Sequence, residues 1–134
     1  FQINQDLVVI KLSTNDFGPE IQSPPILLDS TSFVKAYLSF IDIVVKHNPK
    51  AKIILAIGGG LSDWYPSGLK RLSRCRSWVN VILNESKLVH SNKFDFFEFK
   101  TISAPYGEDW HPTIKSQNKM AKEVTPFIKE FMGW

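Results

Sequence analysis

The sequence predicts an α/β fold built on a parallel sheet, and two features carry that prediction. Short runs of apolar, often β-branched residues alternate with longer segments whose apolar positions recur every three or four residues. The resulting order is β-α-β-α-β-α. The short runs are also nearly continuous rather than alternating, as in strands covered on both faces. Such an order implies parallel neighbours joined by right-handed crossovers, with helices on the faces of the sheet. At 134 residues, with 43% hydrophobic and 22% charged, the chain is globular in composition and one domain at most.

Asp6-Leu7-Val8-Val9-Ile10-Lys11-Leu12 is the first strand, expected to be buried on both faces. Ser13-Thr14-Asn15-Asp16 follows at its C-terminal end. A loop then extends to about Asp29, where Gly18-Pro19 and Pro24-Pro25 block regular structure. Phe33, Ala36, Tyr37, Phe40, Ile41, Val44 and Val45 mark the inner face of a helix over 31–47, which Asn48-Pro49 ends. Residues 52–57 are the second strand, and Gly58-Gly59-Gly60 opens the next loop. A helix over 67–88 turns Leu72, Cys75, Val79, Ile82 and Leu83 inward. Residues 94–99 are the third strand. The last helix, 113–132, places Ile114, Met120, Ala121, Val124, Phe127, Ile128 and Phe131 on one side, with Pro126 expected to kink or break it.

Composition narrows the partners. The net charge of +3 is mild, and its one cluster, Lys70, Arg71, Arg74 and Arg76, reads as a solvated helix face rather than a nucleic-acid surface. The single cysteine, Cys75, excludes an internal disulfide and a multi-cysteine metal site, and the three histidines lack ligand spacing. The triple glycine lacks the lysine and hydroxyl of a phosphate-binding loop, so no metal, nucleotide or other cofactor is expected. No run approaches the ~18 apolar residues of a membrane helix. Because the chain begins Phe1-Gln2-Ile3 and enters a strand almost at once, residues 1–134 read as part of a longer, here incomplete, domain.

In an open parallel sheet, ligands bind beyond the carboxyl ends of the strands. Asn15, the triple-glycine loop and Gly107-Glu108-Asp109-Trp110-His111-Pro112 all fall there. A proline at 112 suits the first turn of a helix, which leaves His111 on a short loop beside two carboxylates, the setting of a general base. His47 and His90, at a helix end and in a polar linker, take surface roles. His111 taken alone is as compatible with a structural role as with a catalytic one; Asn15 on the same rim favours catalysis. Asn15 is either a turn former or an amide donor to a developing oxyanion. Asp16 either stabilises that loop or meets substrate. Trp64, Tyr65, Tyr106 and Trp110 are placed to stack on sugar rings or to pack loop onto core.

Val8-Val9-Ile10-Lys11-Leu12-Ser13-Thr14-Asn15-Asp16 resembles the Gly-x-Asn-Asp block of SGNH (GDSL-type) hydrolases. Asp109-Trp110-His111-Pro112, with Met120-Ala121, Phe127-Ile128 and Gly133-Trp134, is similar to their histidine block, in the form found in carbohydrate esterase family 2, the acetyl xylan esterase-like branch. The resemblance covers the whole chain but only the C-terminal part of the family's domain. It implies a flavodoxin-like, three-layer α/β/α fold with the N-terminal strands missing, and removal of acetyl groups from carbohydrate. It also implies that a serine attacks the ester, His111 takes its proton and Asn15 helps hold the oxyanion. Glu108 or Asp109 would be the third triad member, or the ring would be oriented by a backbone carbonyl, as in family members that work with a serine–histidine dyad; Trp110, Trp64 and Asp16 would meet substrate.

The serine is expected on a segment upstream or on a second chain, since no Gly-Asp-Ser block is present and Ser62 matches nothing in the family. Ser13 stands where the family has glycine. Other readings are a non-catalytic carbohydrate-binding module or an SGNH lipase or thioesterase. The family resemblance also points to a secreted or extracellular setting.

Overall fold

The computed structural model describes residues 5–134. Strands β1 (Leu7–Ile10), β2 (Lys52–Ile57) and β3 (Phe94–Glu98) form a parallel sheet in the order β1-β2-β3. Helix α1 (Ser30–His47) joins the first pair, α2 (Arg71–Val89) joins the second, and α3 (Ile114–Met132) follows β3. Val8 lies opposite Ile53, and Leu55 opposite Phe96.

Neighbouring parallel strands joined by right-handed crossovers put both connecting helices on the same face. There Ile53, Leu55 and Ile57 pack with Phe33, Tyr37 and Ile41 of α1 and with Cys75, Val79 and Ile82 of α2. Full burial of each such aliphatic chain contributes roughly 2 kcal/mol. On the other face Ile54 and Ala56 are also buried, and Phe127 of α3 meets Phe97 of β3 with ring centroids 5.1 Å apart. Lys52 Nζ, at the start of β2, donates to the carbonyls of Phe131 and Met132 at 2.8 and 3.0 Å, tying down the negative end of α3. The result is three layers, α/β/α.

Helix ends follow capping chemistry. Asp29 Oδ1 accepts from Ser32 N at 2.7 Å to start α1, Thr113 accepts from Ser116 N to start α3, and Gly133, at φ 78°, closes α3. Helix α2 is capped from a distance: Asp63 accepts from Ser73 N at 2.8 Å and from the Ser73 hydroxyl. Hydrogen bonds from Ser32 and Ser73 hold the Asp29 and Asp63 carboxyls below their ordinary pKa. Both caps therefore act fully above the ordinary carboxylate range and weaken as pH falls through it.

Several expectations are corrected. Strand β1 ends at Ile10 rather than Leu12 and is not buried on both faces: among the described residues it pairs with β2 alone, at the edge of the sheet, and Val9 stays 44% exposed. The strand covered on both faces is the central one, β2. The loop after β1 contains a 3-10 turn, Gly18–Ile21, because Pro19 suits its first turn, where a missing N–H costs nothing. Ala36 and Phe40 face outward, since the buried row of α1 runs through Phe33, Tyr37 and Ile41 at intervals of four. Helix α2 begins at Arg71, not near Ser67, behind Lys70 at φ 46°. Pro126 does not break α3; it lies on the exposed side, where solvent reaches the Lys122 carbonyl that loses its donor. No residue of α3 is fully buried, and Ile114 and Ala121 are exposed.

The basic cluster on α2 is not a solvated face either. Arg71 is 7% exposed and burial pulls its pKa down. Arg76 pairs with Glu98 at 2.6 Å. Arg74 grips the buried Glu20 through two 2.9 Å contacts while lying over Phe17 and Trp78. Glu20 Oε1 also accepts from Leu28 N at 2.9 Å, so this pair fastens the long 11–29 loop against α2. Nothing in the local sequence links Glu20 to Arg74; only the fold brings them together.

Candidate functional site

Three loops leave the carboxyl ends of the three strands and nest against one another. The fit depends on glycine: a Cβ on Gly59 would lie 2.4 Å from the Lys100 carbonyl oxygen, and one on Gly60 would lie 2.9 Å from Thr14 Cγ2. Ile102 N donates to Gly59 O at 2.8 Å, and the Thr101 hydroxyl to Leu61 O at 3.1 Å. Thr14 and Asn15 after β1, the glycines after β2 and residues 100–102 after β3 thus form one continuous rim. This close approach is the role of the triple glycine.

Asn15 is exposed on that rim. Its backbone is set by a compact turn in which Asp16 N and Phe17 N reach Ser13 O at 3.1 and 3.4 Å and Gly18 N reaches Asn15 O at 3.0 Å. Phe17, fully buried against Phe33 and Trp78, anchors the turn. Ser13 has φ 89°, a conformation that favours glycine. Its hydroxyl donates to Leu12 O and accepts from the Cys75 thiol at 3.2 Å, and burial pushes that thiol up to about 11. Asp16 is exposed beside Asn15.

The histidine loop closes on itself. Gly107 N donates to His111 O at 2.8 Å, and His111 N to Glu108 O at 2.9 Å. Between them Asp109 and Trp110 have φ 48° and 63°, left-handed values that cost non-glycine residues ~1–3 kcal/mol each. His111 Nδ1 lies 3.0 Å from the same Glu108 carbonyl oxygen. A carbonyl only accepts, so this contact puts a proton on Nδ1, and in the neutral ring that leaves Nε2 as the nitrogen with the lone pair. The ion pairs among the described residues include neither His111 nor Glu108 nor Asp109. The imidazole is therefore oriented by the Glu108 main chain, a group no residue spacing advertises. Pro112 is not in the first helical turn but precedes the cap, Thr113.

Trp110 is 79% exposed and meets Tyr106 edge-on at 5.4 Å, while Trp64 is 75% exposed in the loop after β2. Both tryptophans stand out from the rim instead of packing into the core. Ser62 is nearly buried, its Oγ accepting from Tyr65 N at 3.3 Å, which is a turn role. His47 is exposed at the end of α1. His90 is not a free surface residue: its Nε2 lies 3.1 Å from Asp42 Oδ1, joining α2 to α1. Among the described residues no group of three or more His, Cys, Asp or Glu is placed to hold a metal, and no helix is long and apolar enough to cross a membrane.

No protein-family profile matches the chain. It is 37% identical over 130 residues to the cellulase/esterase CelE of Acetivibrio thermocellus, covering 96% of this chain and 14% of that protein. It is 27% identical over 129 residues to the acetylxylan esterase / glucomannan deacetylase of Cellvibrio japonicus, covering 96% of this chain and 32% of the other. The structure of a family two carbohydrate esterase from Clostridium thermocellum, in complex with cellohexaose, superposes with a TM-score of 0.83 at 35% identity over 99% of this chain and 38% of that one. The chain thus spans a minor part of the length of each. The fold is the SGNH-type α/β fold of these esterases.

Proposed function

Since the homologues and structural neighbours of this chain are family 2 carbohydrate esterases, we propose that the complete protein is a serine ester hydrolase that removes acetyl groups from carbohydrate. The nucleophilic serine comes from a segment outside these 134 residues. His111 Nε2 takes the serine proton as Oγ attacks the acetyl carbonyl, and the resulting oxyanion is met by the Asn15 amide. Collapse expels the sugar oxygen, which receives the proton from Nε2 and leaves acetyl-serine. Water, deprotonated by the same nitrogen, attacks the acetyl carbonyl; the bond to serine Oγ then breaks, Oγ takes the proton back from Nε2, and acetate is released.

The observation that carries this reading is the Nδ1 contact with the Glu108 carbonyl, because it selects the tautomer a base requires. In the complete protein, His111→Ala is expected to cut kcat for an acetylated sugar by ~10³-fold, within the range for loss of a general base. Turnover within tenfold of wild type would end the proposal. A second reading, a sugar-binding module without catalysis, draws on the exposure of Trp64 and Trp110. It predicts oligosaccharide binding that survives His111→Ala but falls with Trp110→Ala, and no hydrolysis by the wild type.

A further inference from the structure

Ile102 is fixed to the end of the sheet, its N–H donating to the Gly59 carbonyl at 2.8 Å. From there the chain runs out to the histidine loop, and the Tyr106 hydroxyl reaches back to the Ile102 carbonyl oxygen at 3.4 Å. That is long for a hydroxyl bond, so the hydroxyl holds the residue weakly and the packing of its ring matters more. Tyr106 is 39% exposed against 79% for Trp110, and the two rings meet edge-on with centroids 5.4 Å apart. The positive edge of one ring then faces the negative face of the other, which favours the pair beyond the area it covers. Among the described residues Trp110 has no other aromatic partner.

Trp110 immediately precedes His111 and holds φ 63°, next to Asp109 at φ 48°. Left-handed backbone at non-glycine residues persists only where its surroundings fix it. The bonds from Gly107 N to His111 O and from His111 N to Glu108 O close the main chain of the loop. Neither restrains the Trp110 side chain. A drifting indole would let the backbone at 110 relax and part the Glu108 carbonyl from His111 Nδ1, now 3.0 Å away. We infer that Tyr106 is a positioning residue: by packing on Trp110 it holds the histidine loop in the form that keeps the proton on Nδ1 of His111. Of sugar stacking and loop packing, the two roles open to an aromatic on this rim, Tyr106 takes the second. Its effect on turnover rests on the esterase reading; its effect on the tautomer does not.

The test uses the complete protein and two readouts. The first is nitrogen NMR of the histidine rings at about pH 9, where an ordinary histidine is neutral, with the His111 signals identified by their loss in His111→Gln. Wild type and Tyr106→Phe should hold the proton on Nδ1 of His111, whereas in Tyr106→Ala both ring nitrogens should share it. The second is steady-state hydrolysis of an acetylated sugar. Tyr106→Ala is expected to lower kcat about tenfold with KM changed less than about threefold, and Tyr106→Phe to stay within about twofold of wild type. In a Trp110→Ala background, Tyr106→Ala should add less than about twofold, because the ring acts through Trp110. A wild-type tautomer in Tyr106→Ala, equal losses in the Phe and Ala variants, or a rise in KM alone would overturn the inference. If the wild type hydrolyses no acetyl ester, the esterase reading falls and the ring signals alone decide the role of Tyr106.

Discussion

At the scale of single residues, three of the four non-glycine residues with positive φ among the described residues lie where the chemistry is proposed, and the fourth, Lys70, precedes α2. Ser13, Asp109 and Trp110 all hold positive φ. Asp109 and Trp110 bend the chain so that the Glu108 carbonyl faces the His111 ring; Ser13 turns the chain from β1 into the Asn15 loop. The carbonyl contact predicts that the neighbouring carboxylates are dispensable: Glu108→Gln and Asp109→Asn in the complete protein should each keep kcat within about threefold of wild type, far from the loss expected for His111→Ala. A loss of ~10²-fold in either variant would assign that carboxylate to the imidazole. Ser13→Gly should relieve its strain at the cost of extra freedom in the unfolded chain, a net gain of about 1 kcal/mol in urea unfolding. Lower stability would mean that the contact with Cys75 outweighs the strain.

At the scale of elements, the long 11–29 loop is held by Phe17 in the core and by Glu20 on Arg74. Removing one partner of a buried pair leaves the other's charge stranded, so Glu20→Ala should cost about 3 kcal/mol, measured by denaturant unfolding. A change below ~0.5 kcal/mol would show that Phe17 suffices. The same view explains how far the elements were readable. The rows Phe33-Tyr37-Ile41 and Cys75-Val79-Ile82 follow helical spacing, and β2 is an unbroken apolar run. The long-range pairing of Arg74 and Arg76 with acids was not legible, because an arginine on a helix looks the same whether its carboxylate is present or not. Ala36 and Phe40 were misplaced for a related reason: several apolar residues on α1 satisfy helical spacing, and only the direction from which the sheet approaches selects among them.

At the scale of the whole molecule, β1 is an edge strand with Val9 half uncovered, and Phe40 and Ile43 lie exposed on α1. Unpaired strand groups beside apolar surface favour association. The 134 residues expressed alone should therefore self-associate or unfold without a sharp transition, as read by sedimentation and thermal melting. A monodisperse monomer with one cooperative transition would refute this. The chain matches only 38% of the length of the superposed esterase.

Hydrophobic periodicity alone determined the order of strands and helices and their approximate limits, and so the position of Asn15 and His111 after strands of a parallel sheet, because these follow from local steric and apolar patterning. The histidine block was legible as a contiguous motif. Tertiary structure alone decided which strand is covered on both faces, which arginines find acids, and that a main-chain carbonyl rather than a carboxylate holds the imidazole. Those outcomes depend on distances between groups far apart along the chain or on backbone angles that side-chain identity does not encode, and both exist only once the chain has folded.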